Sequence, residues 1–361
     1  MNMFKKMLRY FVMYGIQRTF AKVLYKFDTN VAYFMLRLLY MPGRKLDKRI
    51  VFVGMGNHGF TLLAFFVSVV GRQRVSVVID PSEKSRKIAL KVLGCSHFPD
   101  IESAQADGEF YGDIIYIASD HASHTKHAVI ANGLFGRVYV EKPLFVNSHQ
   151  LGEFRGLIED GCNLHTGFNR PHAPFFVEFT DVLSDDFSVT MVINGHHLPA
   201  EHWYRDDGQG SRVLGNLTHW IDLSLRIFLR NTDTTSLDIQ LSKGHLDDLI
   251  VVFSSETGKI SLSFSANCEP SDGVEEFIFW NCSKSVGKIM NFREISYITK
   301  DGVIRKTSKA NKNVGHELAS LAPLNEVFED SSLSFKSSAL ALKVENMYLT
   351  GSEYANYSLK L

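Results

Sequence analysis

Cysteine and proline are scarce in this sequence, and none of its apolar stretches is long. The four cysteines, Cys95, Cys162, Cys268 and Cys282, include no CxxC pair, which indicates reduced thiols in a cytosolic protein rather than a disulfide scaffold. No HExxH, P-loop or nucleophile-elbow motif is present, so we predict no metal site. Because the formal net charge is zero, the chain has no general attraction to nucleic acid.

From Arg49 to Gly167, runs of β-branched residues alternate with helical segments. Such runs, separated by helices, are typical of a parallel sheet that is covered on both faces. We therefore predict an α/β fold whose first domain is a doubly wound Rossmann sheet. The expected strands are 50–54, 74–79, 97–98, 113–118, 138–141 and 163–167.

Gly54, Gly56 and Gly59 form a GxGxxG turn between the first strand and the first helix. The first glycine allows the tight turn, the second lets backbone N–H groups approach a pyrophosphate, and the third lets the helix pack closely on the strand. Asp80 ends the next strand, where a carboxylate accepts ribose hydroxyls, so NAD is favoured; Lys84 and Arg86 keep NADP as the less favoured choice. The predicted cofactor residues are Gly54, Gly56, Asn57, His58, Gly59, Asp80, Ser119, His124, Glu141 and Lys142.

A different pattern follows Gly167. Apolar and polar residues alternate in runs at 188–194, 237–242, 248–254, 259–266, 275–281 and 296–300, as in an open, mainly antiparallel sheet with one covered face. One helix, about 210–228, interrupts them. We expect a basic helical extension over 1–48, the Rossmann domain over 49–166, an α+β substrate and oligomerisation domain over 167–335, and a C-terminal helix and tail over 336–361. The last helix is expected to pack back on the Rossmann domain.

The N-terminal segment is strongly basic. Residues 1–49 hold eleven Lys and Arg against Asp28 and Asp47, a net of +9, so the remaining chain carries −9. The pattern predicts amphipathic helices at about 3–26 and 29–41. Basic residues interrupt every apolar run, so none reaches the roughly 18 residues of a spanning helix, and Arg9 breaks the core of a signal peptide. Three interpretations stay open: a docked extension, a peripheral anchor on an anionic membrane, and organelle targeting.

Two side chains are candidates for proton transfer. Lys142 lies at a strand end before a proline, where desolvation can bring a lysine pKa toward neutrality; the alternative is a surface lysine paired with Glu141. On the interrupting helix, Asn216, His219 and Asp222 follow at i,i+3 spacing and share one face. His219 is then either a general base oriented by Asp222 or a core histidine bonded to it.

Several of these segments, taken in order, resemble the Gfo/Idh/MocA oxidoreductases. The resemblance covers about 49–348 and rests on the glycine turn, on Glu141-Lys142-Pro143-Leu144, on Gly167-Phe168-Asn169-Arg170 and on the helix through His219-Trp220-Ile221-Asp222-Leu223. The stretch 193–203 looks like the subset linked to bacterial surface-polysaccharide gene clusters, whose relatives act on nucleotide-linked amino sugars.

The resemblance implies a nicotinamide enzyme that interconverts a sugar hydroxyl and a ketone. Lys142 would lie beside the reacting carbon, with a cis peptide to Pro143, and His219 would exchange the hydroxyl proton. The second sheet would join subunits into a homodimer or homotetramer. The expected substrate residues are Lys142, Asn169, Arg170, His202, Trp203, Arg212, Asn216, His219 and Asp222.

The chain departs from the family pattern at Gly215, where many members carry an aspartate, and at Pro171, where a second basic residue is expected. Gly215 puts in doubt a proton relay through an aspartate. Two alternatives to a dehydrogenase or ketoreductase follow from the resemblance. One is a glycosidase that recycles bound NAD, and the other is a non-catalytic regulator that binds a nucleotide or sugar.

Overall fold

The computed structural model describes residues 10–41, 45–199, 201–245, 247–268, 270, 273–308, 314–327 and 330–360. The chain divides into two compact units. The first contains residues 1–167 and 316–331, and the second contains 168–315 and 332–361. Each unit is built around a sheet of its own, so each is considered by itself.

The sheet of the first unit is parallel. Within the described residues its order is β3-β2-β1-β4-β5-β6. Successive strands are added on one side of β1 up to β3 and on the other side from β4, so the strand order switches between β1 and β4. This arrangement confirms the predicted Rossmann sheet, and the crevice at the carboxyl ends of its strands is where such sheets bind ligands. The strands are β1 (Lys45–Val53), β2 (Gln73–Ile79), β3 (Ser96–Phe98), β4 (Gly112–Ile117), β5 (Phe135–Val140) and β6 (Leu164–Thr166).

Helices pack on this sheet through a fully buried apolar core that includes Phe52, Phe60 and Tyr116. Tyr116 also donates a hydrogen bond to the Ser320 carbonyl at 2.8 Å, which attaches the returning segment 316–331 to β4. The helices are α1 (Ile16–Leu24), α2 (Asn30–Tyr40), α3 (π-helical at Gly59–Ala64 and Phe66–Val70), α4 (Glu83–Lys87, then π-helical at Ile88–Leu93), α5 (Ile101–Ala106), α6 (His124–Ala131), α7 (Ser148–Glu159) and α10 (Val314–Leu321).

The N-terminal extension forms α1 and α2. One face of this helix pair packs on α3 of the same unit. The Tyr40 ring stacks on Phe60 with centroids 4.6 Å apart, and its hydroxyl donates to the Phe60 carbonyl at 2.9 Å. The buried Arg18 guanidinium donates to the Thr61 carbonyl at 3.2 Å. The predicted start of the first helix at residue 3 lies outside the described residues. No helix in the described ranges is long and apolar enough to cross a bilayer.

The second unit contains a mainly antiparallel sheet, in the order β14-β13-β12-β11-β7-β10-β9-β8-β15 over the described residues. The β7–β10 pair is parallel. The six expected strands are present, whereas β12, β14 and β15 were not predicted because their sequences lack a clear apolar alternation. The strands are β7 (Ser188–Asn194), β8 (Ser236–Lys243), β9 (Leu249–Ser254), β10 (Lys259–Ser265), β11 (Glu275–Asn281), β12 (Val286–Met290), β13 (Glu294–Thr299), β14 (Gly302–Thr307) and β15 (Tyr354–Ser358).

Three helices of this unit are α8 (Phe176–Asp181), α9 (Thr218–Asn231, preceded by a π-helical turn at Val213–Leu217) and α11 (Ser331–Thr350). The C-terminal helix α11 belongs to the second unit, and its predicted packing on the Rossmann domain stays a prediction. Buried polar contacts attach the helix within the second unit. Ser337 donates to Asp222 of α9 at 2.7 Å, and the Glu345 carboxylate accepts from Ser211 at 2.6 Å.

Candidate active site

The glycine turn has the close contacts that a dinucleotide site requires. Gly54 has φ +89°, and a Cβ there would lie 2.4 Å from the Ala118 carbonyl oxygen of the neighbouring β4 strand end. A Cβ on Gly59 would lie 2.4 Å from the Gly54 oxygen, whereas a Cβ on Gly56 would meet nothing within 4 Å. The turn therefore needs glycine at 54 and 59 to fold, and the open space at Gly56 suits an approaching pyrophosphate.

Asp80 is fixed beside this turn. One carboxylate oxygen accepts from the Met55 N–H at 2.7 Å, and the other accepts from the Ser82 N–H at 2.8 Å. Each oxygen keeps a further lone pair for a ribose hydroxyl. The carboxylate thus stands at the end of β2, where the adenosine ribose of a dinucleotide lies.

The two cations near Asp80 have partners within the first unit. The Lys84 ammonium lies 4.0 Å from the centroid of the Tyr25 ring of the N-terminal extension. Arg86 pairs with Glu83 at 3.2 Å on the surface. Neither arrangement is dedicated to a 2′-phosphate, so the local charges favour NAD, as the sequence predicts.

We expect Asp80→Ala to lower NAD affinity relative to NADP by about tenfold or more, because hydrogen bonds to a charged group contribute roughly 1.5–3 kcal/mol. Titration calorimetry with both cofactors measures the ratio. Asp80→Asn is the matched control, since it removes the charge that repels a 2′-phosphate and keeps one acceptor oxygen for Met55 N–H, while the bond from Ser82 N–H is lost. An unchanged preference in both variants would show that Asp80 does not read the ribose.

His58 and Glu141 form a pair that connects the glycine turn to the end of β5. The exposed His58 imidazole lies 3.2 Å from the buried Glu141 carboxylate, which also accepts from the Tyr139 hydroxyl at 2.9 Å. A Cβ on Gly167 would lie 2.5 Å from Glu141, so only glycine leaves room for the carboxylate. Burial alone would raise the pKa of Glu141, but His58, Lys142 and the Tyr139 hydroxyl together hold that pKa below its ordinary value.

The segment that carries Lys142 is held by α6. The Lys142–Pro143 peptide is cis, as the resemblance implies, and Lys142 is half-buried. Nδ1 of the buried His124 contacts the Pro143 carbonyl at 2.7 Å, and Thr125 donates to the Leu144 carbonyl at 2.9 Å. These bonds fix the backbone directly after Lys142.

His124 and Ser119 were expected to contact the cofactor, and their observed contacts are structural. Nε2 of His124 lies 3.2 Å from the Ser119 carbonyl, and the Ser119 hydroxyl bonds His127 at 3.0 Å. Burial lowers the pKa of His124, which favours the neutral ring. His124 is 1% exposed and positions the Lys142 segment. A direct cofactor contact stays a prediction for His124 and for Ser119. Asn57 is exposed at the turn.

In the second unit, Arg170 lies against the indole next to His219. Its guanidinium carbon is 5.3 Å from the Trp220 ring centroid and its Nε is 2.5 Å from the Glu276 carboxylate. Glu276 also accepts from the Trp220 indole N–H at 2.9 Å. Arg170 donates to the Asn169 side chain at 2.9 Å. Four side chains therefore form one cluster beside the half-buried His219.

Glu276 was missed by the sequence analysis, although its position carries a signal. Its neighbours on the same face of β11, Ile278 and Trp280, are buried, and Glu276 itself is 4% exposed. A carboxylate at a core-facing position of an alternating strand requires a partner. Arg170, 106 residues away in the chain, is that partner.

Asp222 and Arg212 occupy buried positions. Asp222 is fully buried, and its carboxylate accepts from Arg226 at 2.9 and 3.0 Å and from Ser337. Burial raises the pKa of Asp222, and Arg226 opposes that rise. Asp222 is 0% exposed, so its observed contacts are structural, and a contact with substrate stays a prediction.

Arg212 is 4% exposed and bonds Asn216 at 2.9 Å and the His196 carbonyl at 2.5 Å. It also lies 3.4 Å from the Asp247 carboxylate. These contacts show that Arg212 supports the loop after β7 and orients Asn216. A direct substrate contact stays a prediction for Arg212 and for Asn216, which is half-buried.

His202, Trp203 and Tyr204 form an aromatic cluster whose third member explains Gly215. The Trp203 and Tyr204 ring centroids are 4.4 Å apart, and those of His202 and Tyr204 are 4.8 Å apart. A Cβ on Gly215 would lie 2.6 Å from the Tyr204 ring. The tyrosine ring therefore occupies the space that a side chain at position 215 would need.

We expect Gly215→Asp to lower the free energy of unfolding by about 1–3 kcal/mol, as overpacking does. Urea denaturation measures this loss. The double variant Tyr204→Ala, Gly215→Asp removes the ring that the new side chain meets and should recover most of the stability. Equal losses in the single and double variants would contradict the steric explanation.

Comparison with known proteins agrees with the geometry of the first unit. Residues 48–162 match the family Gfo/Idh/MocA, described as an oxidoreductase family with an NAD-binding Rossmann fold. The match confirms NAD as the cofactor of this domain. The residues of the turn fit that cofactor, because the space at Gly56 is open and the Asp80 carboxylate stands at the end of β2. No curated protein matches the chain.

Solved structures match both units with low identity. GenD2 from gentamicin A biosynthesis, in complex with NAD, has a TM-score of 0.69 and 17% identity over 88% of this chain and 99% of its own. A myo-inositol dehydrogenase from Corynebacterium glutamicum has a TM-score of 0.65 and 17% identity over 87% and 99%. The dehydrogenase MviM from Clostridium difficile has a TM-score of 0.66 and 16% identity over 84% and 99%. Likeness at this level of identity shows the fold alone.

Proposed function

Since residues 48–162 are an NAD-binding Rossmann domain of the Gfo/Idh/MocA oxidoreductase family, we propose that the protein is a dehydrogenase that moves a hydride between nicotinamide and a sugar carbinol. When bound, NAD accepts the hydride from the C–H bond, and the hydroxyl proton goes to the protein, so the carbinol becomes a ketone. The reverse direction reduces the ketone. The observation that carries the proposal is the presence of Glu141, Lys142 and Pro143 at the carboxyl end of β5 in an NAD-binding sheet.

Lys142 is proposed to hold the reacting oxygen. Its half-buried ammonium follows Glu141, and the Pro143 and Leu144 carbonyls are held by His124 and Thr125. A positioned ammonium can donate a hydrogen bond to the substrate oxygen as charge develops on it. The bonds from α6 keep the donor in place, which reduces the reorganisation needed during the reaction.

His219 is proposed to exchange the hydroxyl proton. It lies next to Trp220 on α9 and is half-buried, and the same indole contacts Arg170 and donates to Glu276. An imidazole is suited to this task because its ordinary pKa lies near neutrality. Asn169, Arg170, Asn216, His202 and Trp203 are proposed to border the substrate.

A nucleotide-linked sugar is the proposed substrate class, with a role in surface-polysaccharide synthesis. Residues 193–203 resemble the subset of the family associated with such sugars. Two structural neighbours are GenD2 from gentamicin A biosynthesis and a myo-inositol dehydrogenase, and both are compatible with a polyhydroxylated substrate.

Incubation with NAD and a panel of nucleotide sugars, followed by mass spectrometry, tests this proposal. Oxidation is expected to lower the mass of one sugar by two daltons and to raise the absorbance at 340 nm in equal molar amount. Release of a free sugar without NADH would instead indicate the glycosidase that recycles its NAD. Binding of NAD and sugar without any product would indicate a regulator.

A homodimer or homotetramer through the second sheet is also proposed. Large apolar side chains are exposed along several of its strands, among them Ile250, Phe279, Val286, Ile298 and Val303. Light scattering after gel filtration gives the mass in solution. Phe279→Glu should dissociate the oligomer if this face joins the subunits, and an unchanged mass would exclude the face.

We propose a cytoplasmic location, since a reducing compartment suits the free thiols of Cys95, Cys162, Cys268 and Cys282. NAD is also available in that compartment. We also propose that residues 1–48 contact the inner face of the membrane. This contact would use the side of α1 and α2 that does not pack on α3.

A further inference from the structure

The N-terminal helices expose a row of large apolar side chains. On α2, Val31, Phe34, Met35 and Leu38 follow at helical spacing and are exposed by 69, 61, 42 and 59%. Phe27 lies in the turn before α2 and is also exposed. We call the set the outer apolar face: Val12, Ile16, Phe20, Phe27, Val31, Phe34, Met35 and Leu38.

The opposite sides of the same helices are bound to the first unit, so the outer apolar face has a fixed direction. Ala21, Tyr33, Leu36 and Tyr40 are buried in the core that includes α3. Three polar contacts add to this packing. Arg18 bonds the Thr61 carbonyl, Asp28 pairs with Lys87 at 2.8 Å, and Lys91 donates to the Asn30 side chain at 2.9 Å.

Exposed apolar groups in this number are not explained by the fold. Single exposed apolar residues are normal on proteins, whereas a contiguous apolar patch marks an interaction surface. Six of the eight residues lie on α1 and α2 with helical spacing, which is how an amphipathic segment presents one face. The outer apolar face therefore needs an occupant.

The charge around this face is positive. Asp28 is the one acidic residue between positions 10 and 41, and it is held by Lys87 and by the Tyr33 hydroxyl at 2.8 Å. Lys26 and Arg37 are exposed on the same two-helix segment. Residues 10–41 hold Arg18, Lys22, Lys26 and Arg37 against Asp28, a net of +3. An occupant with negative charge is thus favoured.

A second copy of the chain fits this face poorly. In a two-fold symmetric dimer the same patch meets itself, so the basic residues of one copy would face those of the other. An anionic phospholipid surface offers an apolar layer beneath a negatively charged one. Interfacial helices bury their apolar face about 5–10 Å into the headgroup and acyl boundary, which side chains of this size can reach.

We propose that the outer apolar face binds the surface of an anionic phospholipid bilayer, with α1 and α2 lying in its plane and the Rossmann domain on their water side. This inference is independent of the reaction proposed above, since it uses none of the residues of the active site.

Co-flotation of the full chain with vesicles tests the proposal. Vesicles of phosphatidylcholine with about one-third phosphatidylserine are expected to carry the protein, and pure phosphatidylcholine vesicles are not. Phe34→Glu, Leu38→Glu should reduce the bound fraction at least about tenfold, because each apolar side chain that leaves the bilayer costs roughly 1.5–3 kcal/mol. Lys26→Gln, Arg37→Gln should weaken binding about fivefold per charge removed.

The matched control is Val129→Glu, which replaces an exposed valine on α6 of the same unit and should leave vesicle binding unchanged. NAD affinity and the thermal midpoint of every variant verify that the fold is intact. Equal flotation of the wild type and the Phe34→Glu, Leu38→Glu variant would overturn the proposal. A wild-type oligomer that this variant converts to monomers, without vesicle binding by either, would overturn it in favour of a second copy.

Discussion

Replacing Lys142 by alanine is expected to reduce turnover by about a thousandfold or more while NAD affinity stays within a few-fold of the wild type. The size follows from losing both a hydrogen-bond donor and a charge beside the developing oxyanion, which contribute roughly 10²–10⁴-fold. NAD affinity should persist because the turn at Gly54 and the Asp80 carboxylate are untouched. Turnover comes from absorbance at 340 nm, and affinity comes from calorimetry.

Lys126→Ala is the control for this experiment. Lys126 lies on α6 of the same unit, and its side chain is 66% exposed with a distant contact to Glu102 at 3.8 Å. Its removal deletes the same charge without touching the segment after β5. The catalytic assignment would be wrong if the Lys142 variant kept turnover within a few-fold of the wild type. A parallel loss of NAD affinity would place Lys142 in binding instead.

The glycine turn should separate folding from binding. Gly54→Ala is expected to lower the free energy of unfolding by about 3 kcal/mol or more, because φ +89° disfavours a side chain and the new methyl meets the Ala118 backbone at 2.4 Å. Gly56→Ala should leave stability within about 0.5 kcal/mol, since nothing lies within 4 Å of its Cβ. It should nevertheless weaken NAD about tenfold or more, because the methyl fills the space of the pyrophosphate.

Urea denaturation and NAD titration on the two variants give the four values needed. Stability lost in both variants would mean that the turn is tight at Gly56 as well. NAD affinity kept in Gly56→Ala would show that the pyrophosphate does not approach the turn there. Either result would contradict the proposed binding of the pyrophosphate at the open space beside Gly56.

Much of the first unit was predictable because its signals are local. Each parallel strand is a run of β-branched residues, and the turn at Gly54 follows directly in the chain. The predicted Lys142 segment is likewise contiguous with β5. Prediction failed where a charged residue stands at a core-facing position of an alternating strand, as at Glu276. A buried carboxylate of this kind is explained only by a partner elsewhere in the chain.

The same limit applies to the helix that carries His219. The i,i+3 spacing places Asp222 on the same helix face as His219. The sequence therefore predicts a hydrogen bond between that carboxylate and the imidazole. The structure shows Arg226 and Ser337 as its partners. Helical spacing states which residues can be neighbours, but competition from a second helix, α11, decides which contacts form.

The sequence by itself determined the cofactor-binding sheet, the glycines of its turn and the acid at the end of β2, because those features depend on residues near one another in the chain. The tertiary structure alone decided the contact of His58 with Glu141, the support of Arg170 by Glu276 and the tyrosine ring that faces Gly215. It also decided which face of α1 and α2 stays exposed. Each of these depends on packing between segments that are distant in the chain. The spacing of apolar residues within one segment carries no information about which other segment packs against it.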